Sequence, residues 1–547
     1  LIVKNISTKK RTLQQVTHSS RIALYGLLSL ALLAPLIVGH LGKADPEHEH
    51  ATTLPATGSD LSLLWLWAIV PVGLLTAYWS YRRFSAKQAL SVDAVRTDAI
   101  SSMRAQRQAL TETQADATGL AGYIQKIRLF SYNARLYLLH VIGMDMIHGT
   151  WEVIFNLYLL AAGFGLDFIG LRVLIAGVSR SVAAIPMGWL SDRIGRKAGF
   201  ILGDGMGAAI ALVQIMTVNP TLLLIAPAIG SFFSALHHVT EPAFMAENSE
   251  KRERVHLFSV SDSLRTFSAM AGSLIAGFLP FWVAQTFGFD KLDAYRVATF
   301  IGISWWFLSL VPAVLLRSYR TVEINLENQM QNSAMRTTKK ISALWKNVKN
   351  PALIAKFATV DACIALGAGF VIPLFNVFFK EGVHAHESEI GITFATGSAF
   401  LAIAALLSPF VVERFGKVRS IFYTRLLSVP FILVMGFAPN AGSELGALSV
   451  LSVAGLAYVA RSMFMNMSNP AYSALNMEAL DPRERATFIG ISAAASGLLT
   501  GLGGLMGSRL MSAGDFQTPF LVMGALYLLS TLLYWVFFRN FEAGARA

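Results

Sequence analysis

The sequence predicts an all-α integral membrane protein of two six-helix bundles, with about two further spanning helices ahead of them. Three observations predict it. The chain is too apolar for water to be its main solvent: of its 547 residues 54% are hydrophobic and 14% charged, and its mean hydropathy is +0.53. Apolar runs of about 18 residues or more recur along it, each long enough to cross roughly 30 Å of hydrocarbon as a helix. Landmarks in one set of six runs return in the same order in a second set. A closed barrel is the other way to satisfy a backbone in lipid, and the short alternating strands it needs are not visible.

Taken in order, residues 1–84 form an N-terminal extension with spans near Ile22 to Gly42 and Leu61 to Trp79. A basic leader (Lys9, Lys10, Arg11, Arg21) precedes the first span, and Gly42-Lys43-Ala44 after it carries small residues where a signal peptidase reads. The run is also long enough to stay as a spanning helix. Glu47-His48-Glu49-His50 follows in a loop; a solvated charge run explains it more simply than a weak metal site, since nothing fixes ligand geometry. Residues 85–132 read as a polar helical linker on the cytoplasmic side, with Leu90, Val95, Ile100, Met103 and Leu110 loosely at helical spacing. The first bundle, 133–316, has spans starting near Leu136, Ile169, Phe200, Thr221, Leu257 and Ala294. A basic linker, 317–350, separates it from the second bundle, 351–547, with spans starting near Ile354, Ile390, Ile421, Gly446, Phe488 and Phe520.

A formal charge of +12 would suit nucleic acid if it formed a patch, but it is distributed by topology. With the N-terminus inside, nearly all loop Lys and Arg fall on the cytoplasmic side, as the positive-inside rule requires. The expectation is a multi-pass protein of a bacterial inner (plasma) membrane, both termini cytoplasmic, monomeric, with Arg82, Arg83, Lys339 and Lys340 meeting anionic headgroups and no nucleic-acid partner. Cys363 is the only cysteine, so an intrachain disulfide and a cysteine metal cluster are excluded. No nucleophile-base constellation, phosphate loop or cofactor motif is present, so neither an enzyme nor a cofactor is expected.

The duplication is carried by three echoes. Phe155-Asn156-Leu157-Tyr158 returns as Phe375-Asn376-Val377-Phe378, and Asp192-Arg193-Ile194-Gly195-Arg196 as Glu413-Arg414-Phe415-Gly416-Lys417. Pro242-Ala243-Phe244 with Arg252-Glu253-Arg254 returns as Pro470-Ala471-Tyr472 with Arg483-Glu484-Arg485. Gly188-Trp189-Leu190-Ser191-Asp192-Arg193-Ile194-Gly195-Arg196-Lys197 matches the pattern G-x-L-x-D-R-x-G-R-[RK] between the second and third helices of the first bundle. On these residues the chain resembles the major facilitator superfamily, from about Asn133 to Arg539. The resemblance implies alternating access, with a latch at Gly188, Asp192, Arg193, Gly195, Arg196 and Lys197 that closes the cytoplasmic side when the cavity faces outward. Gly188 is expected to let helices approach closely, and Asp192 to pair with arginines near a helix terminus. In the echo (Glu413, Arg414, Gly416), Pro409 stands for Gly188 and Val418 for Lys197, which weakens a second latch. The fifth helix of the first bundle offers Gly272, Gly277 and Pro280 without the full antiporter pattern, and no sugar-porter or peptide-porter signature is found, so no substrate is implied. Gly497, Gly501, Gly503, Gly504 and Gly507 in the eleventh helix suit close backbone contact.

Ionisable side chains in a spanning helix cost about 2.5–3.5 kcal/mol near its centre and are functional candidates by default. Asp145, His148, Glu152 and Asn156 fall within an arc of about 80° on the first family helix and form one polar stripe. His237, His238 and Glu241 on the fourth helix lie at a similar depth, so the two groups are expected to meet. These residue types suit a proton carrier, a divalent metal or a structural network. Family structures line the cavity with helices one, four, seven and ten, which makes Arg461 a candidate anchor for an acidic substrate group and sets Asp361 toward the cavity. Arg180 suits an ion pair, and Asp262 and Arg265 are spaced to pair with each other. The expected function is secondary, proton-coupled transport of a small solute across the bilayer. A membrane sensor or scaffold that keeps the fold, and a divalent-metal transporter, are the alternatives.

Overall fold

The computed structural model describes residues 127, 129–249, 251–317, 350–441, 447–480 and 485–541. The N-terminal spans, the Glu47 to His50 segment, nearly all of both linkers and Arg483-Glu484 lie outside the described residues. Every regular element among the described residues is helical. Six long helices precede the second linker: α1 (Tyr132–Ala161), α2 (Leu166–Ile194), α3 (Arg196–Met216), α4 (Pro220–Glu247), α5 (Lys251–Phe287) and α6 (Lys291–Leu315). Six follow it: α7 (Pro351–Val371), continued by short turns to Gly382, α8 (Glu387–Phe415), α9 (Lys417–Phe437), α10 (Ala447–Met467), continued by Asn469–Ala479, α11 (Arg485–Ser512) and α12 (Thr518–Phe538). Each of the twelve spans expected for the two bundles begins within about six residues of the start of one of these helices.

Ten described helices are long and apolar enough to cross a membrane, and α2, bent by 54° between Ala183 and Pro186, makes an eleventh if counted as one span. A proline inside the helix removes one backbone donor and clashes with the preceding turn, which favours a bend there. The remaining helix is α1, whose thirty residues carry the polar stripe.

Local chemistry sets the boundaries. Asp290 caps α6 by accepting from the Asp293 amide, and Asn350 caps α7 ahead of Pro351, which needs no amide partner there. At α8, the Glu389 carboxylate closes a capping box on the His386 backbone at 2.7 Å. The duplication reaches the backbone at Gly195 and Gly416, with φ of 85° and 80°, where one helix ends and the next begins. Each glycine amide donates to the carbonyl four residues back, Ser191 at 3.0 Å and Val412 at 2.8 Å. That left-handed geometry is the reason a glycine stands at both positions.

The described residues form two compact units. The larger comprises 136–240 and 263–541 and therefore includes helices from both sets of six. The smaller comprises 129–135 and 241–262, where Ser131 Oγ donates to the Asn248 carbonyl at 2.8 Å, Asn133 Nδ2 to Asn248 Oδ1 at 2.9 Å, and Arg254 Nη2 to the Ala246 carbonyl at 2.9 Å.

Within the larger unit the two sets of helices meet along backbones stripped of side chains. A Cβ on Gly177 of α2 would lie 3.0 Å from Gly501 Cα of α11, and one on Gly277 of α5 would lie 3.0 Å from Gly391 Cα of α8. The α11 glycines divide by face: Gly497, Gly501 and Gly504 lie against α2, while Gly503 and Gly507 lie against α7 of the same half. Small residues let helices approach closely where lipid offers no hydrophobic drive to bring them together.

Candidate functional site

The polar stripe of α1 changes partners along its length. Asp145, nearest the Asp192 end, is buried, and its Oδ2 lies 3.6 Å from Arg265 Nε on α5. Arg265 thus has an acidic neighbour on another helix, besides the Asp262 expected from its own. His148, one turn on, is accessible and lies within electrostatic reach of Asp145, Arg265, His237 and Arg180, all of the first six helices. Glu152 is also accessible, and it acts electrostatically on Tyr458 of α10, where Arg461 acts too. A carboxylate from one half and a guanidinium from the other thus both lie within electrostatic reach of one tyrosine. Arg461 is buried; its Nη2 donates to Tyr527 Oη at 2.9 Å, its guanidinium carbon lies 5.7 Å from the Phe375 ring centroid, and its Nε is buried with no hydrogen-bond partner.

Asn156 ends the stripe in a reciprocal clasp with its own repeat. Its Nδ2 donates to Asn376 Oδ1 at 3.0 Å and to the Pro373 carbonyl at 2.8 Å, while Asn376 Nδ2 donates to the Val153 carbonyl at 3.1 Å. Each asparagine therefore bonds the carbonyl three residues before the other. Two more bonds join the halves at this end: Tyr295 Oη donates to Glu387 Oε1 at 2.5 Å, and Ser512 Oγ to Asp167 Oδ2 at 3.1 Å. Lys380 and Lys291 also lie within 3.5 Å of the Glu387 carboxylate.

At the opposite end, the expected latch residues bond within their own half. Arg196 Nη1 donates to Asp192 Oδ1 at 2.8 Å and to Ser191 Oγ at 3.0 Å, and Ser191 shares a 2.8 Å bond with Thr240 of α4. Arg193 is exposed, and Lys197 is buried with Nζ on the Leu316 carbonyl at 2.8 Å. A Cβ on Gly188 would meet nothing within 4 Å, so the close helix approach expected there is absent in this conformation. The physical reason is that no facing backbone comes within reach of that turn. In the echo, Glu413 and Arg414 are exposed, and Lys417 Nζ donates to Glu478 Oε2 at 2.6 Å, a partner from the α10 continuation.

His237 has a partner that the sequence did not suggest. Its Nδ1 lies 2.9 Å from Asp204 Oδ2 of α3, and His140 Nε2 of α1 approaches the same oxygen at 3.1 Å. His140 lies about 120° from the middle of the α1 stripe, at 100° per residue, so a search along one helix face passes over it. Asp204 carried a signal that could have found it, a lone carboxylate within the apolar run Gly203 to Ala211. His238 is accessible, with its ring edge-on to His237, and Glu241 is buried. Asp361, expected toward a cavity, accepts hydrogen bonds from Tyr472 Oη and Ser492 Oγ, each at 2.6 Å, and so ties three elements of the second half together.

The sequence matches the Major Facilitator Superfamily over residues 136–460 and 362–546. No curated protein matches the chain. Among solved structures it is similar to the nucleoside transporter NupG (15% identity, TM-score 0.55, covering 75% of this chain and 99% of that one). It is likewise similar to a D-xylose-proton symporter (16% identity, TM-score 0.54, covering 76% and 97%). A bacterial homologue of the iron transporter ferroportin, in an inward-facing state, aligns with 16% identity and a TM-score of 0.53, covering 74% and 97%. Identities this low carry the fold alone, while the family match spans most of the chain and includes both copies of the repeat. The chain is a multi-pass membrane protein and belongs to the major facilitator superfamily.

Proposed function

We propose that this protein is a proton-coupled secondary transporter of a small organic solute with an anionic group, working by alternating access between its two halves. The observation that carries this reading is that Glu152 and Arg461, from opposite halves, lie within electrostatic reach of the same residue, Tyr458. A solute bound between them touches both halves and so can couple its binding to their relative movement. Arg461, with a buried Nε that no side chain satisfies, is the anion anchor. Glu152, which has no basic partner among the described residues, is the group whose charge a proton cancels in each cycle. Asp145 and His148 line the proton's route; the Asn156–Asn376 clasp is the outer gate, and the Asp192 loop faces the cytoplasm, as expected of the loop charges of a bacterial inner-membrane protein.

Purified protein is screened for anionic solutes that raise its melting temperature, and the best of them is assayed in liposomes. An imposed proton gradient should drive accumulation. Glu152→Gln should abolish that accumulation yet leave exchange in the absence of a gradient, and Arg461→Ala should remove binding. Accumulation indifferent to the gradient would remove the proton, and unchanged affinity in Arg461→Ala would remove the anchor.

A further inference from the structure

The buried cluster of His140, Asp204 and His237 lies apart from Glu152 and Arg461, and its chemistry points to another ligand. Side chains from α1, α3 and α4 supply it, and each is almost fully inaccessible to solvent, at 0%, 1% and 1% exposure. Two glycines bring the elements together. A Cβ on Gly143 would lie 2.8 Å from the Trp305 carbonyl oxygen and from Ser309 Cβ, and one on Gly203 would lie 3.1 Å from the His237 amide nitrogen. With hydrogen alone at these positions, the Ser309 carbonyl reaches His140 and the Asp204 carboxylate reaches His237.

The tautomer of His140 follows from its partners. Nδ1 lies 2.8 Å from the Ser309 carbonyl oxygen, which can only accept, so Nδ1 carries the hydrogen. A neutral ring then presents the Nε2 lone pair to Asp204 Oδ2, 3.1 Å away. Two lone-pair atoms at that distance in a dry interior require a cation between them, and His237 Nδ1 adds a third donor atom at 2.9 Å from the same oxygen. An imidazole whose N–H is tied to a backbone carbonyl, so that its other nitrogen keeps a lone pair aimed at the cluster, is oriented as metal-ligating histidines are. All three ligand atoms lie within 4.8 Å of one another. An ion with bonds of about 2.0–2.1 Å reaches them after a slight inward turn of the rings. Imidazole nitrogen with a single carboxylate selects zinc and its neighbours over calcium or magnesium, which take oxygen. His238, accessible and 5.7 Å from His237 between ring centroids, marks the way in.

We propose that His140 Nε2, Asp204 Oδ2 and His237 Nδ1 bind one divalent transition-metal ion of the zinc class, which ties α1, α3 and α4 into one block. This site does not include Glu152 or Arg461, so zinc binding in purified protein is read without reference to the transport reading.

The test uses the full chain, purified in detergent and stripped with a chelator, with zinc chloride as the probe. His48→Ala and His50→Ala are built into the parent to remove the competing loop histidines. One zinc per chain by mass spectrometry is expected, with a higher melting temperature in zinc than in chelator and none of this with calcium. Asp204→Asn and His140→Gln should each weaken zinc binding by at least about 100-fold, the upper end of what loss of a supporting partner costs a metal site. Should either fail to fold, His237→Gln is read in the same way. Absence of zinc-dependent stabilisation in the parent, at any pH where it stays folded, would leave a proton as the cluster's cation and overturn the proposal. So would a bound zinc that survives all three substitutions.

Discussion

The two ends of the larger unit are built from the same repeat yet bonded differently. At one end the repeated asparagines bond each other across the halves, helped by Tyr295–Glu387 and Ser512–Asp167. At the other end the repeated basic residues bond inside their own halves, Arg196 to Asp192 and Lys417 to Glu478. Glycine packing follows the same division: Gly177 presses on Gly501, while Gly188, near the other end of the same helix, faces open space. The difference teaches that a duplicated motif does not dictate its partner. A short amide side chain between abutting helices can only satisfy itself across the seam, whereas a long basic side chain at a helix terminus finds carboxylates and hydroxyls nearby.

The comparison breaks most severely at the glycine seam. Gly177→Leu should force α2 from α11, costing about 1–3 kcal/mol of stability in a packed contact and exposing the clasp end to water. Labelling of a cysteine placed at the buried Val153 in the Cys363→Ser background reads that exposure; labelling no faster than with Gly177 in place would mean that the seam does not hold the end shut. Next comes the clasp. Asn156→Ala removes the donor to the Pro373 carbonyl and one of the two donors to Asn376 Oδ1, which keeps the Val377 amide, and should cost about 0.5–1.5 kcal/mol. A double-mutant cycle with Asn376→Ala, read by thermal unfolding, should give a coupling of about 0.5–3 kcal/mol, and strict additivity would mean the two act separately.

Asp192→Asn should disturb stability by less than about 1 kcal/mol, because its pair with Arg196 is largely exposed and screened. A latch at Asp192 would act on the equilibrium between states, so turnover in liposomes should fall while solute affinity in detergent holds. Equal turnover would remove the latch. The smallest effect is expected from Gly188→Ala, within about 0.5 kcal/mol of stability, since the added methyl meets nothing within 4 Å. A slower transport rate in that variant would show that Gly188 does meet a helix in the other state, and an unchanged rate would show that it never does.

Much of the architecture was legible in the sequence because the bilayer leaves little choice. Backbone groups without water must bond within a helix, so apolar runs announced each span and the turn glycines announced where α2 and α8 end. The asparagine echo at 220 residues marked both members of the clasp, although nothing in a linear reading said that they would face each other. The α1 stripe was read from periodicity, but periodicity describes one helix at a time. That Asp145 meets Arg265 while Glu152 and Arg461 both come within electrostatic reach of Tyr458 depends on which helix lies opposite each turn.

By itself the sequence determined the helix count among the described residues, the duplication and the chemistry each helix carries, since these follow from hydropathy, spacing and residue type. Tertiary structure alone decided the partners: His237 with Asp204 and His140, Asp361 with Tyr472 and Ser492, and Asn156 with Asn376. Hydrogen bonds and ion pairs act over about 3 Å. Whether two side chains a hundred residues apart come that close depends on how the helices between them cross and rotate, which local pattern leaves open and glycine-lined packing settles.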